Sequence, residues 1–412
     1  MKHAIEAQEQ ALNISMEDER ACPVCCSTSK SVLMHQRFAG LSYGSLLAGY
    51  DLAICVDCGA SYADKIPAQE NFDRYYAEMS KYEYGANAGI QTSTDRARFR
   101  EIANLVDPHL HSSSHMLDIG CATGGLLAEF KHRGYKNLMG VDPSHSCSDL
   151  TERLHGIRSK PSTISDLDKL GEQFDILFLT GVVEHLRDVD GSVRQLKTCL
   201  RAGGLIYIEV PDATRYDKHF GAPFQFFSIE HINFFSPQSL GNLMARHGFE
   251  CVFTERLIRY LSPEAIEPVM GGMFRLSPEG DVGKICTHDA ETLPALKRYI
   301  EQSVALEQRV LARIDQLVDS GREIVVWGTG THTLRLIESS RLLSAKVVAF
   351  IDSNIHYQGK TLAGIPVVAP TDFNRGDVEV LISSQTAEDD IYQVITQGMG
   401  WSNTVHRLYT NL

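Results

Sequence analysis

The sequence has no run of eighteen apolar residues, so no membrane-spanning helix is expected. It has no cluster of lysine or arginine, and 39 basic against 52 acidic residues give a formal net charge of -13. Duplex binding needs a basic face, so no nucleic-acid partner is expected. An anionic small molecule needs only a local basic pocket and stays admissible. Residues 1–20 are polar and acidic and lack the apolar core of a secretory signal. Cysteine, by contrast, is not scarce. Four of the ten cysteines fall into two pairs, which points to a metal site in a reducing, cytoplasmic setting rather than to disulfides. With 412 residues, two to four domains are expected.

The residues that are present centre on 116–143: Met-Leu-Asp-Ile-Gly-Cys-Ala-Thr-Gly-Gly, a helix-like run, then Leu-Met-Gly-Val-Asp-Pro. This spells a buried strand, a glycine turn, a helix and a second strand ending in an acid. Gly120 and Gly124 permit a tight turn and close backbone approach to a ligand at Ala122. Asp142 follows Gly120 by about twenty residues, the distance at which an acid reaches a ribose diol. An early Gly-x-Gly, which would turn backbone N–H groups toward a pyrophosphate, is missing. Asp118 occupies that approach and suits a cationic or amine-bearing ligand. The stretch resembles motif I of class I S-adenosylmethionine-dependent methyltransferases. That resemblance implies S-adenosylmethionine over Asp118, Gly120 and Asp142.

Cys22-Pro-Val-Cys25 and Cys55-Val-Asp-Cys58-Gly form two Cys-x-x-Cys knuckles, a spacing that places four thiolates around one zinc ion. Four protein ligands leave no position for water, so the zinc is expected to be structural. Tyr75, Tyr76, Tyr82 and Tyr84 lie upstream of the first glycine turn, to line a pocket or to pack on the core. Further on, Ser165 sits in a polar loop suited to an adenine amine. Residues 174–180 form a continuous apolar run, as in a buried parallel strand, ending at Thr180 and then Glu184-His185. Ligands sit at the carboxyl ends of such strands, so Thr180 to His185 should face the cofactor. The aromatic segment 226–237 holds Ser228, Glu230, His231 and Asn233. An acid beside an imidazole in apolar surroundings reads as a general base, or else as a core histidine that fixes the loop. His185 is the second candidate base. Arg275, after a glycine pair, could hold a phosphate or a carboxylate, or be solvated.

A helical period over residues 293–318 precedes a second strand, glycine turn and helix at 323–333, with Asp352 again about twenty residues on. This copy has Gly328-Thr-Gly330 and then Thr333 where a third glycine would be. It reads as a nucleotide site or as a scaffold that helps to hold substrate; NAD is not expected. The fold class is therefore α/β, with a Rossmann-like core, a small N-terminal zinc lobe and a second Rossmann-like domain. The expected divisions are 1–70 for tail and zinc lobe, 71–257 for the methyltransferase core, 258–320 for a linker with a long helix, and 321–412 for the C-terminal domain.

Four cysteines, a methyltransferase core with Glu230-His231 in an aromatic loop, Gly271-Gly272-x-x-Arg275 and a second Rossmann-like lobe together resemble the three-domain sugar C-methyltransferases. The resemblance implies His231 as the base that removes the proton α to a keto group, with Glu230 and His185 beside it. It also implies a nucleotide-linked ketodeoxysugar held between the core and the C-terminal lobe. Tyr82, Tyr84, Ser228, Asn233 and Arg275 are the expected substrate contacts, and a monomer or homodimer is the expected assembly. Ser228 stands where that family usually has a tyrosine, and 180–185 reads as in generic methyltransferases. O-methylation of a sugar or another small hydroxylated metabolite, and a non-catalytic binding protein on the same fold, are the alternatives.

Overall fold

The computed structural model describes residues 19–40, 46–78, 91–261, 265–277 and 286–410. Tyr82 and Tyr84 lie outside them. Among the described residues, the strands form three sheets. The central sheet has seven strands in the order β10 (Phe249–Tyr260), β11 (Ile266–Leu276), β8 (Leu200–Pro211), β7, β4, β5 and β6 (Arg158–Pro161). Its heart is β4 (His115–Ile119), flanked in parallel by β5 (Asn137–Asp142) and β7 (Phe174–Thr180). The chain runs out from β4 to one side through β5 and then back to the other through β7. The strand order thus reverses at β4, which opens a crevice at the carboxyl ends. β4, β5 and β7 are apolar on both faces because helices cover both sides.

The central sheet is larger than the sequence division implied. Residues 249–276, assigned in part to a linker, fold as a hairpin of β10 (Phe249–Tyr260) and β11 (Ile266–Leu276). β11 lies antiparallel beside β8 (Leu200–Pro211), with Gly271 opposite Glu209. Gly271 serves this pairing, since a Cβ there would stand 2.3 Å from the Tyr207 hydroxyl. The central sheet therefore extends to residue 276, with two strands beyond 249 completing it.

The four-stranded antiparallel sheet has the order β1-β2-β3-β9: β1 (Lys30–Arg37), β2 (Gly49–Cys55), β3 (Ser61–Asp64) and β9 (Asn233–Phe234). Its last strand comes from the core's aromatic segment, so the cysteine lobe is stitched to the loop that carries His231. The third sheet has the order β14-β15-β13-β12-β16-β17; β14 (Thr361–Leu362) pairs antiparallel with β15 (Ile365–Val368), and the sheet is parallel from β15 to β17 (Val405–Arg407). Its order reverses at β12 (Glu323–Trp327), between β13 (Lys346–Ile351) and β16 (Glu379–Ile382).

A 29-residue helix, Thr292–Ser320, joins core and C-terminal domain and stops at Gly321 with φ +64. Its Tyr299 is wholly buried among Tyr216, Phe226 and Phe227, with ring centroids 5.1–5.7 Å from its own. The aromatic segment is thus the joint between lobes. Each such ring contributes on the order of 2–3 kcal/mol by burial, so the lobes pack through one continuous core.

Candidate active site

The first glycine turn folds because Gly120 takes φ +72 and donates its N–H to the Val141 carbonyl at 2.8 Å. A Cβ at Gly120 would fall 2.7 Å from Val182 Cγ2, so only glycine leaves the cradle open. Two backbone donors fix Asp142. Its Oδ2 accepts from Ala122 N at 2.9 Å and its Oδ1 from Ser144 N at 2.9 Å. Gly124, with φ +79, begins the next helix, and its α-carbon packs against Thr151. It therefore shapes the turn without reaching the crevice.

The crevice is a cavity of about 440 Å³. Its walls include Gly120, Asp142, Ser165, Thr180, His185 and Glu230, four residues expected to bind cofactor and two expected near the chemistry. Asp118 stands behind it, and its Oδ1 is buried without a partner. Burial chiefly pushes this carboxyl up to about 8; Arg98 opposes the shift and Asp142 adds to it. A buried orphan oxygen beside an open glycine cradle is the donor set that a cationic, amine-bearing ligand completes. S-adenosylmethionine fits these residues.

At the other side of the cavity, His185 Nδ1 lies 2.9 Å from the Tyr76 hydroxyl and 3.0 Å from the Glu230 carbonyl. A carbonyl only accepts, so Nδ1 carries the proton and Nε2 the basic lone pair. His231 stands edge-on to His185 with ring centroids 4.8 Å apart. Ser228 Oγ accepts the N–H groups of Glu230 and His231 at 3.2 and 3.0 Å, and the Tyr75 hydroxyl donates to Glu230 Oε1 at 2.9 Å. The loop that carries the candidate base is thereby held from both ends. Sequence reasoning placed Glu184 in the stretch expected to face the cofactor and gave it no chemical role of its own. It is buried, its Oε2 has no partner, and burial chiefly pushes its carboxyl up to about 8. Ligand atoms of Glu184, His185 and His231 lie within 4.8 Å of one another, a spacing one cation could span. The one sequence signal for it was an acid next to His185 after an apolar run.

Two expected substrate contacts are elsewhere. Asn233 is buried, gives both amide hydrogens to the Val183 and Leu186 carbonyls, and accepts from Arg20. With its polar atoms spent on backbone and Arg20, it is a clamp under the site. Arg275 pairs with Leu205 at the start of β8 and donates to the Gly203 carbonyl. That is the end of the sheet opposite the cavity, so the structure does not bring it to the substrate.

The four cysteines converge. Cys22 and Cys58 sulfurs are 3.5 Å apart, as are those of Cys25 and Cys55, and all four lie within 4.8 Å of one another. A tetrahedral zinc with Zn–S of about 2.3 Å places sulfurs about 3.8 Å apart. The cluster is compatible with zinc.

Residues 93–253 match the methyltransferase domain family, and residues 320–404 match the family described as C2185-like, N-terminal. The chain is 34% identical over 105 residues to a ubiquinone biosynthesis O-methyltransferase of Chelativorans sp., covering 24% of this chain and 41% of that protein. It is 29% identical over 112 residues to a tRNA U34 carboxymethyltransferase of Campylobacter hominis, covering 26% and 39%. The chain thus spans about two fifths of the curated relatives it matches. Among solved structures, the 1,6-didemethyltoxoflavin-N1-methyltransferase of Burkholderia thailandensis aligns at 20% identity and TM-score 0.41, over 54% of this chain and 97% of that one. The family match covers the strands, glycine turn and acid that build the cavity, and on that ground residues 93–253 are a class I S-adenosylmethionine-dependent methyltransferase domain.

Proposed function

We propose that the protein transfers a methyl group from S-adenosylmethionine to a carbon of a nucleotide-linked ketodeoxysugar, with His231 as general base. The observation that carries this reading is the T-shaped pair of imidazoles: His185 walls the cavity that Gly120 and Asp142 shape, and the His231 ring packs edge-on against His185. Gly120, Asp142, Ser165 and Thr180 would hold the donor, which supplies an already activated methyl group when bound. The chain then has to align the acceptor and take one proton. His231 removes the proton α to the ketone. His185 and Glu230 orient it, and Ser228 fixes the backbone of both Glu230 and His231. The Tyr76 hydroxyl and a protonated Glu184 are the nearby donors suited to a developing oxyanion. The four cysteines hold a structural zinc that braces this loop.

The test is a turnover screen of nucleotide-linked sugars with methyl-labelled donor, read by mass and by the attachment site of the label. Carbon transfer should let solvent deuterium enter the α position before methylation. A product labelled only on oxygen, with no exchange, replaces this reading with O-methylation. That second reading is favoured by the O-methyltransferase named among the relatives; there His231 takes a hydroxyl proton instead. Absence of any binding of S-adenosylmethionine by calorimetry would leave only the non-catalytic reading.

A further inference from the structure

Three metal-ligating side chains from two distant segments converge beside the cavity. Glu184 and His185 lie on the single turn Val183–His185 after β7, and His231 lies on the aromatic loop. Backbone ties the two segments together. Ile232 donates its N–H to the Glu184 carbonyl at 2.9 Å, and the Asn233 amide donates to the Val183 and Leu186 carbonyls at 3.0 and 2.8 Å. The three side chains are thus brought to one place by the fold itself. His185 Nε2 stands 3.9 Å from Glu184 Oε1, and one ligand atom from each of the three residues falls within 4.8 Å of the other two. A zinc-like ion with bonds of about 2.0–2.1 Å spaces its ligands roughly 3.4 Å apart, so side-chain shifts of about 1 Å close the set.

Glu184 gives a second, independent sign of a ligand. It is 2% exposed, and its Oε2 has no hydrogen-bond partner. A buried carboxyl oxygen left without a partner is costly, and a cation supplies what it lacks. His185 is backed as a metal-bound imidazole is. Its Nδ1 is engaged by the Tyr76 hydroxyl and the Glu230 carbonyl, which fixes the ring and leaves Nε2 as the ligand atom. His185 also walls the cavity, so coordination positions not filled by protein have room for water. Two imidazoles and one carboxylate suit zinc, cobalt or nickel better than magnesium or calcium, which take oxygen shells. Sulfur plays no part here, in contrast to the cysteine cluster.

We infer that Glu184, His185 and His231 bind one divalent transition-metal ion through nitrogen and oxygen, at a site separate from the four cysteines. In the reaction proposed above, His231 takes a proton on its lone pair and Glu184 donates one. An ion occupies that lone pair and displaces that proton, so the loaded chain is a blocked form and the ion competes with the acceptor's proton for the base. The block rests on the proposed function; the binding does not.

The tag-free full chain, dialysed against a mild chelator to remove loosely held metal, is titrated with Co²⁺ by calorimetry and absorbance. Cobalt on thiolates gives an intense charge-transfer band; cobalt on nitrogen and oxygen does not. One ion should bind without that band, and excess Mg²⁺ should not displace it. Glu184→Gln and His231→Ala should each weaken this ion by at least about tenfold. Absence of a band-free ion in the wild type overturns the inference, as does a band-free ion that both variants retain. The wild-type titration decides the first point even if a variant fails to fold. With an acceptor from the turnover screen, kcat should fall in proportion to occupancy by this ion. A kcat that holds or rises as the ion binds overturns the block. A chain that binds the ion but methylates no acceptor counts against the proposed function and not against the site.

Discussion

Tyr62 of the cysteine lobe pairs in antiparallel register with Asn233, two residues past His231. Ala63 N donates to the Ile232 carbonyl at 2.9 Å, and Arg20 donates to the same carbonyl and to Asn233. The candidate base is thus one residue from a sheet whose turn is set by Cys55 and Cys58.

This pairing predicts that a zinc ion held by the four cysteines matters for turnover although it would touch no substrate. Cys58→Ser, or prolonged chelation, should release one zinc per chain and lower kcat by roughly tenfold or more, since small misplacements of a base are costly. Affinity for S-adenosylmethionine should change less than about twofold, because that pocket has its own frame. Metal analysis beside calorimetry checks both. A wild-type protein with no zinc and four freely titrating thiols would count against the site.

For the base itself, His231→Ala should lower kcat by about 10²- to 10⁴-fold. Donor affinity should stay unchanged. Undiminished turnover would remove His231 from the mechanism. Tyr76→Phe deletes the hydroxyl beside His185 Nδ1 and should lower kcat with the melting temperature unchanged, which a purely packing role would not do.

Asp142→Ala should weaken S-adenosylmethionine binding by about 10- to 100-fold, the range for hydrogen bonds to a charged group. Gly120→Ala meets both a positive φ and Val182, so it should weaken binding and lower the melting temperature together. Calorimetry and thermal melts separate the two effects.

Glu184 and Asp118 give a pH dependence with a definite sign. Burial raises both folded-state carboxyls to about 8, from ordinary values of 4.5 and 3.8. Between those values the folded protein holds protons that the unfolded chain has released. Stability is therefore highest below the ordinary values and falls as pH rises through about 8, with a slope of up to about 1.4 kcal/mol per pH unit per group. Denaturation midpoints of the unliganded protein should show this fall, and Glu184→Gln should flatten it. An identical slope in the variant would show that Glu184 ionises at no cost.

The glycine turns, the two acids and the cysteine knuckles were legible because each is a local spelling with a fixed spacing. Gly321 likewise ends the long helix where the periodicity stopped. What escaped depends on pairing between distant segments. Arg275 looked like an anion ligand until β11 lay beside β8 and carried it to the far end of the sheet. Asn233 looked like a substrate contact because nothing local foretold Arg20, more than two hundred residues away, as its partner. Glu184 needed the burial around it before its carboxyl became notable.

Residues 222–231 form the wall of a second cavity, of about 490 Å³, with Phe224 and Ser228 and reach the first with Glu230. A single short loop thus works as a ruler laid between two rooms. On the proposed function, a conjugate long enough to occupy both ends would bring its reactive carbon to His231. The free sugar and the free nucleotide each fill only one room, so a mixture of the two should turn over far more slowly than the intact conjugate at equal concentration.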